Sequence, residues 1–143
     1  MLRSVENRVQ WLLHELKSFQ DSIKKEELER LGFCGSKNEK ILGRYTNGPA
    51  KDEEDIIIVT DFGLHLRDGN QWTFLDYKLM QEIRLPEGDK ESWKFLVITF
   101  KDGTKINLPI TNETKSESGI MGWDVFAFRK FLAGIISGIN RAT

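Results

Sequence analysis

The chain predicts a mainly β, α+β fold: seven antiparallel strands forming a sandwich or barrel, capped by a C-terminal helix and preceded by an amphipathic N-terminal helix. Three observations carry that prediction. Between Lys40 and Ile110, short apolar segments of strand length are separated by turn residues. Asp68-Gly69-Asn70 and Lys101-Asp102-Gly103-Thr104 are strong hairpin signals between such segments. From Val125 to Ile139 the apolar spacing changes from the strand period to the helical one.

Ser4 is placed to cap a helix whose apolar residues fall at Val5, Val9, Leu12, Leu16, Phe19 and Ile23, in steps of four and three. Leu28 and Leu31 extend it or belong to a second short helix after Asp21-Ser22. Gly32 is its stop, with Leu28 and Phe33 spaced for the contact that accompanies such an ending. A helix of this length with so narrow a stripe is not stable alone in water. It must bury that stripe against its own chain or a second copy.

After the connector Cys34–Asn38, strand one is expected at Lys40–Thr46 and strand two at Asp55–Thr60, separated by the irregular Asn47–Glu54 loop. Asp61-Phe62-Gly63 turns the chain into strand three, Leu64–Arg67, and strand four follows at Gln71–Leu75. Strand five lies near Gln81–Leu85 and stops at Pro86; Glu87–Ser92 is a polar loop. Strands six and seven occupy Trp93–Phe100 and Lys105–Ile110, and Pro109 argues for an edge position in the latter. A polar loop, Thr111–Gly119, leads to the last helix. Asp124 is a candidate N-cap there, and Trp123 with Phe128 has staple spacing. Gly134 and Gly138, unfavourable inside a helix, predict close approach to the sheet or fraying before Gly138. Strands two and six carry apolar groups on both faces, so something must cover the second face. The N-terminal helix is the candidate.

At 143 residues, with 39% hydrophobic and 30% charged residues, the chain is long and mixed enough for one globular core. A net charge of -1 argues against a nucleic-acid partner, which calls for a basic stripe. Cys34, the single cysteine, rules out an intramolecular disulfide and fits a reducing compartment. No run of roughly 18 apolar residues predicts a membrane span, and Met1–Asn7 lacks the apolar region of a secretory signal. A cytoplasmic location is the expectation.

The phrase DIIIVTDFGLHLRD, from Asp55 to Asp68, resembles the second and third strands of bacterial pleckstrin-homology-like (PH-like) domains. WTFLDYKLMQEIRL, from Trp72 to Leu85, resembles their passage through a short turn into the fifth strand. The resemblance spans about Lys40 to Asn140. It implies a PH-like domain over residues 37–143, with residues 1–36 as a helical extension. The eukaryotic family carries a tryptophan inside its C-terminal helix; here Trp123 precedes a helix of phenylalanines, which favours the bacterial branch. The family's phosphoinositide site needs several basic residues on strands one and two and their loop. Lys40, Arg44 and Lys51 fit that demand, but Asp52, Glu53, Glu54 and Asp55 would repel a polyanion.

Groups that could carry chemistry have plainer readings. His14 and His65 are read as surface positions, on the solvent side of a helix and of a strand, and with Cys34 they make no zinc spacing. Cys34 has no neighbouring group to stabilise a thiolate. Asp61-Phe62-Gly63 matches the kinase magnesium motif only in letters, and Asp52–Asp55 lacks the ligand pattern of a calcium loop. Trp72, Trp93 and Trp123 read as core or rim aromatics, whereas Trp11 borders the helix stripe and is suited to an interface. The expectation is therefore a non-catalytic PH-like module binding a protein or peptide partner, with no cofactor, metal or catalytic residue. Candidate partner contacts are Trp11, Lys40, Arg44, Lys51, His65 and Arg67. A peripheral membrane or phospholipid-binding domain, and a self-assembling structural protein that pairs, as a homodimer, through the N-terminal helix, are the alternatives.

Overall fold

The computed structural model describes residues 5–48, 55–69, 71–88, 93–115 and 121–142. It is mainly β, with antiparallel sheets and a C-terminal helix. The chain opens with α1 (Val5–Arg8), which runs directly into a π-helical turn (Val9–Leu13). A two-residue strand β1 (Phe19–Gln20) and the short helix α2 (Lys25–Arg30) follow. Then come β2 (Ile41–Thr46), β3 (Asp55–Thr60), β4 (Gly63–Asp68) and β5 (Gln71–Asp76), an antiparallel meander extended by β1 alongside β2. A 3-10 turn at Tyr77–Leu79 leads into a second meander, β6 (Met80–Arg84), β7 (Phe95–Phe100) and β8 (Lys105–Pro109). The pair β9 (Glu113–Lys115) and β10 (Met121–Trp123) precedes α3 (Asp124–Ala142).

Ten strands in three sheets thus replace the expected seven among the described residues. Seven of the ten are the segments picked out by their apolar rhythm, displaced by at most two residues at an end. The additional three, β1, β9 and β10, are two or three residues long and polar or mixed. Segments that short have no period to detect.

The local turn chemistry acts as its residues dictate. Asp68 pairs with Gln71 across a two-residue turn in which Gly69 takes φ +63°; Asn70 lies outside the described residues. At the β7–β8 hairpin the Phe100 amide donates to Thr104 O at 2.8 Å, and Asp102 Oδ1 accepts from the Thr104 amide at 2.9 Å. At Asp61-Phe62-Gly63 the Thr60 hydroxyl oxygen accepts from the Phe62 and Gly63 amides. Gly32, at φ +70°, ends α2: its amide donates to Glu29 O at 3.1 Å and the Phe33 amide to Leu28 O at 3.0 Å. That bond pattern is the Schellman stop. β8 is an edge strand, as Pro109 requires.

The N-terminal helix departs most from expectation. The stripe from Val5 to Ile23 is not one helix. Helical structure ends at Leu13, Phe19 enters a strand opposite Tyr45, and a separate short helix starts at Lys25. The reason is tertiary, because the stripe serves two surfaces. Val9, Leu13 and Phe19 join the principal core with Tyr45, Ile57, Val59 and the α3 residues Val125, Phe128 and Phe131. Ile23, Leu28, Leu31 and Phe33 instead cover Ile56 and Ile58 on the opposite face of β3. Both faces of β3 are covered by its own chain. The Phe19 ring lies over Gly43, where any Cβ would collide with that ring and with the Gln20 carbonyl.

At the other terminus α3 continues through Gly138, so it does not fray there. What approaches Gly134 is the Arg8 guanidinium, not the sheet. Asp124 is the first helical residue. Its carboxylate, in place of capping, accepts from Tyr45 Oη at 2.8 Å and Thr114 Oγ1 at 2.7 Å. Trp123 packs on Trp93 and Phe126, while Phe128 meets Tyr45 edge-on, so the expected Trp123–Phe128 staple is replaced by two separate contacts. The calls at Ser4, at residues 49–54, 89–92 and 116–119, and at Lys51 fall outside the described residues.

Candidate functional site

Strand pairing gathers three of the sequence-nominated residues on one sheet face. Arg44 lies opposite Ile58, which lies opposite His65, which lies opposite Phe74; one pleat along, Ile56, Arg67 and Trp72 are in line. This is the face that α2 and the connector after it cover. Arg44 is ion-paired with Glu27 of α2 and donates from Nη2 to Gln20 Oε1 at 2.7 Å. Lys40 lies elsewhere, exposed, with Nζ 3.0 Å from Glu6 Oε1. Arg67 is half-buried beside Trp72, whose indole donates to Leu31 O at 3.1 Å.

His65 is not the surface residue that strand alternation suggested. Its side chain is 9% exposed, held edge-on by Phe33 and flanked by Phe74, with Nε2 2.6 Å from Glu39 Oε2. Alternation does put it on the outer face, but that face is covered. Glu39 is itself only 1% exposed and also accepts from Thr60 Oγ1 and the Ser36 amide. Burial raises its pKa, but the bonds from Thr60, Ser36 and His65 outweigh that and hold the carboxyl below the ordinary range. Glu39 and Thr60 were not singled out in the sequence. They stand 26 and 5 residues from His65, and no linear motif joins them.

The wiring decides what this cluster can do. Thr60 and His65 both bond the same carboxylate oxygen of Glu39, whose other oxygen accepts from the Ser36 amide, so one carboxylate ties two strands to the connector. A second network, Tyr45–Asp124–Thr114 with Asn112 bonding Ser18 Oγ and Thr46 O, ties the first sheet to the start of α3. Burial and the Asp124 charge raise the Tyr45 pKa beyond any physiological range, and burial raises that of Asp124. Both networks fasten separate elements of the fold to one another.

One open cleft lies between the N-terminal turn and α3. Val9 and Leu13 point into the core, which turns the intervening Trp11 outward to 75% exposure. The π hydrogen bond, from the His14 amide to Val9 O at 2.9 Å, defines this wider turn. Trp11, with Asn7, Arg8, Leu12 and Lys130, lines a cleft of about 500 Å³. Arg8 and Lys130 had no distinguishing signal in the sequence, since each reads as an ordinary charge on a helix.

Among the described residues no group of three or more His, Cys, Asp or Glu could hold a metal ion, and no helix is long and apolar enough to cross a membrane. No protein-family model, curated protein or solved structure matches this chain.

Proposed function

We propose that this chain is a non-catalytic binding module of PH-like architecture that holds a protein or peptide partner. A four-strand meander, a three-strand meander and a terminal helix packed on both is the order such a domain calls for, and it supports the reading. The observation that carries the function is Trp11: a large aromatic group three-quarters exposed, mounted between two core-anchored neighbours and bordering a cleft. Exposed tryptophans supply much of the binding energy where they meet a partner. The internal role of the Glu39–His65–Thr60 cluster favours binding over catalysis.

Phospholipid binding has weaker support. Arg44, the strand-borne cation such a site would use, is already engaged by Glu27 and Gln20. The test compares immobilised full-length protein with its Trp11→Ala variant in a native lysate. Retention of a specific protein by the parent and its loss from the variant supports the reading. Equal retention by both removes Trp11 as the contact.

A further inference from the structure

We infer that the cleft between the π-helical turn and α3 receives an acidic peptide segment carrying a bulky apolar side chain; this rests on the binding-module reading above. The argument is one of shape and charge together. Trp11 and Leu12 supply apolar surface, while Arg8 and Lys130 supply positive charge. No carboxylate is among the described residues lining the cleft. The acidic residue of α1, Glu6, is already paired with Lys40. A site on a chain of net charge -1 is thus locally cationic.

Of the two cations, Arg8 is positioned by its packing against α3. Arg8 lies on α3 where a side chain at Gly134 would otherwise stand. Lys130 is four residues earlier on the same helical face. Arg8 is the better carboxylate ligand, because its planar fork pairs two oxygens at once. An apolar side chain of the peptide would lie on Trp11 between these charges. A nucleic acid fits less well, since one tryptophan and a few cations fall short of the basic stripe that a phosphate backbone requires.

The experiment measures fluorescence anisotropy of labelled twelve-residue peptides with full-length protein at low salt. One peptide is Asp/Glu-rich with a central Leu-Phe; controls replace the acidic residues by Lys, or Leu-Phe by Ser-Ser. The acidic apolar peptide is expected to bind, and Trp11→Ala or Lys130→Glu to weaken it roughly tenfold or more, a loss typical of a hot-spot contact. Lys105→Glu, on the remote β8 edge, should leave it unchanged. Gly134→Ala, which displaces Arg8, should weaken it as well; circular dichroism confirms that each variant is folded. Equal binding of the Lys-rich control, or equal affinity of the Trp11 and Lys130 variants, overturns the inference. So does stronger competition by oligo-dT, or Trp11-dependent self-association seen by light scattering, which would assign the cleft to nucleic acid or a second copy. Should the peptides fail while a lysate partner still needs Trp11, the chemistry assigned here is wrong and the binding-module reading stands. If neither depends on Trp11, the inference falls and Trp11 is removed as the contact; if the lysate yields no specific partner for either protein, the binding-module reading falls too.

Discussion

Glu39 shows how much a single residue can fasten. It accepts from the Ser36 amide in its own connector and from Thr60 and His65 in two strands. Its carboxyl is held below the ordinary glutamate value of 4.5, so folding favours its charged form. Its contribution is fully present above that value and is lost as pH falls through the lower, folded-state one. Asp124, whose pKa is raised, contributes with the opposite sign, so the comparison must be made against a variant. Glu39→Gln keeps the shape but offers an amide NH₂ in place of one acceptor oxygen. It is expected to cost about 1.5–3 kcal/mol at neutral pH, with the deficit shrinking at pH values below the carboxylate range. Urea melts of both proteins at several pH values check this; a constant difference down to pH 3 would contradict it. None of this was legible at the level of single residues. His65 was visible as an outward strand position, but its partner lies 26 residues away.

At the scale of elements, α2 and its connector act as a strap across the outer face of the first sheet. Leu28, Leu31 and Phe33 meet Ile56 and Ile58, while Glu27 pairs with Arg44 and Glu39 hydrogen-bonds His65 below. The strap depends on its turn at Gly32, where φ is +70° and the space around a Cβ would be open. Gly32→Ala therefore isolates backbone strain from crowding. It should cost about 1–2 kcal/mol, read as a lower melting temperature with unchanged circular dichroism at 20 °C. Loss of less than a few tenths would mean that the turn relaxes. This stop was legible in advance, because a glycine after a helical stripe followed by Phe33 is a local signal. The break of the stripe after Leu13 was not, because its cause is a sheet that the helix meets only on folding.

For the whole molecule, the N-terminal third is part of both hydrophobic clusters. Val9, Leu13 and Phe19 are buried with α3 and the two meanders, and Leu31 with the outer face of β3. Burying each such side chain contributes about 1.5–3 kcal/mol, against a total stability of roughly 5–15 kcal/mol for a typical domain. A chain beginning at Lys37 is expected to lose cooperative thermal unfolding and to aggregate, measured by calorimetry and light scattering. A sharp, reversible melt within a few degrees of the full chain would show that the sheets and α3 stand alone.

By itself the sequence determined the seven longer strands, their hairpin turns, the C-terminal helix and the helix stop at Gly32, since each follows from period or turn chemistry within a few neighbouring residues. Tertiary structure decided where the N-terminal stripe breaks, that His65 is sealed against Glu39, and that Trp11, Arg8 and Lys130 share one cleft. The physical reason is the range of the interaction. Hydrogen bonds within a turn and the repeat of a strand are local, whereas burial and charge pairing link residues that only the packed chain brings together.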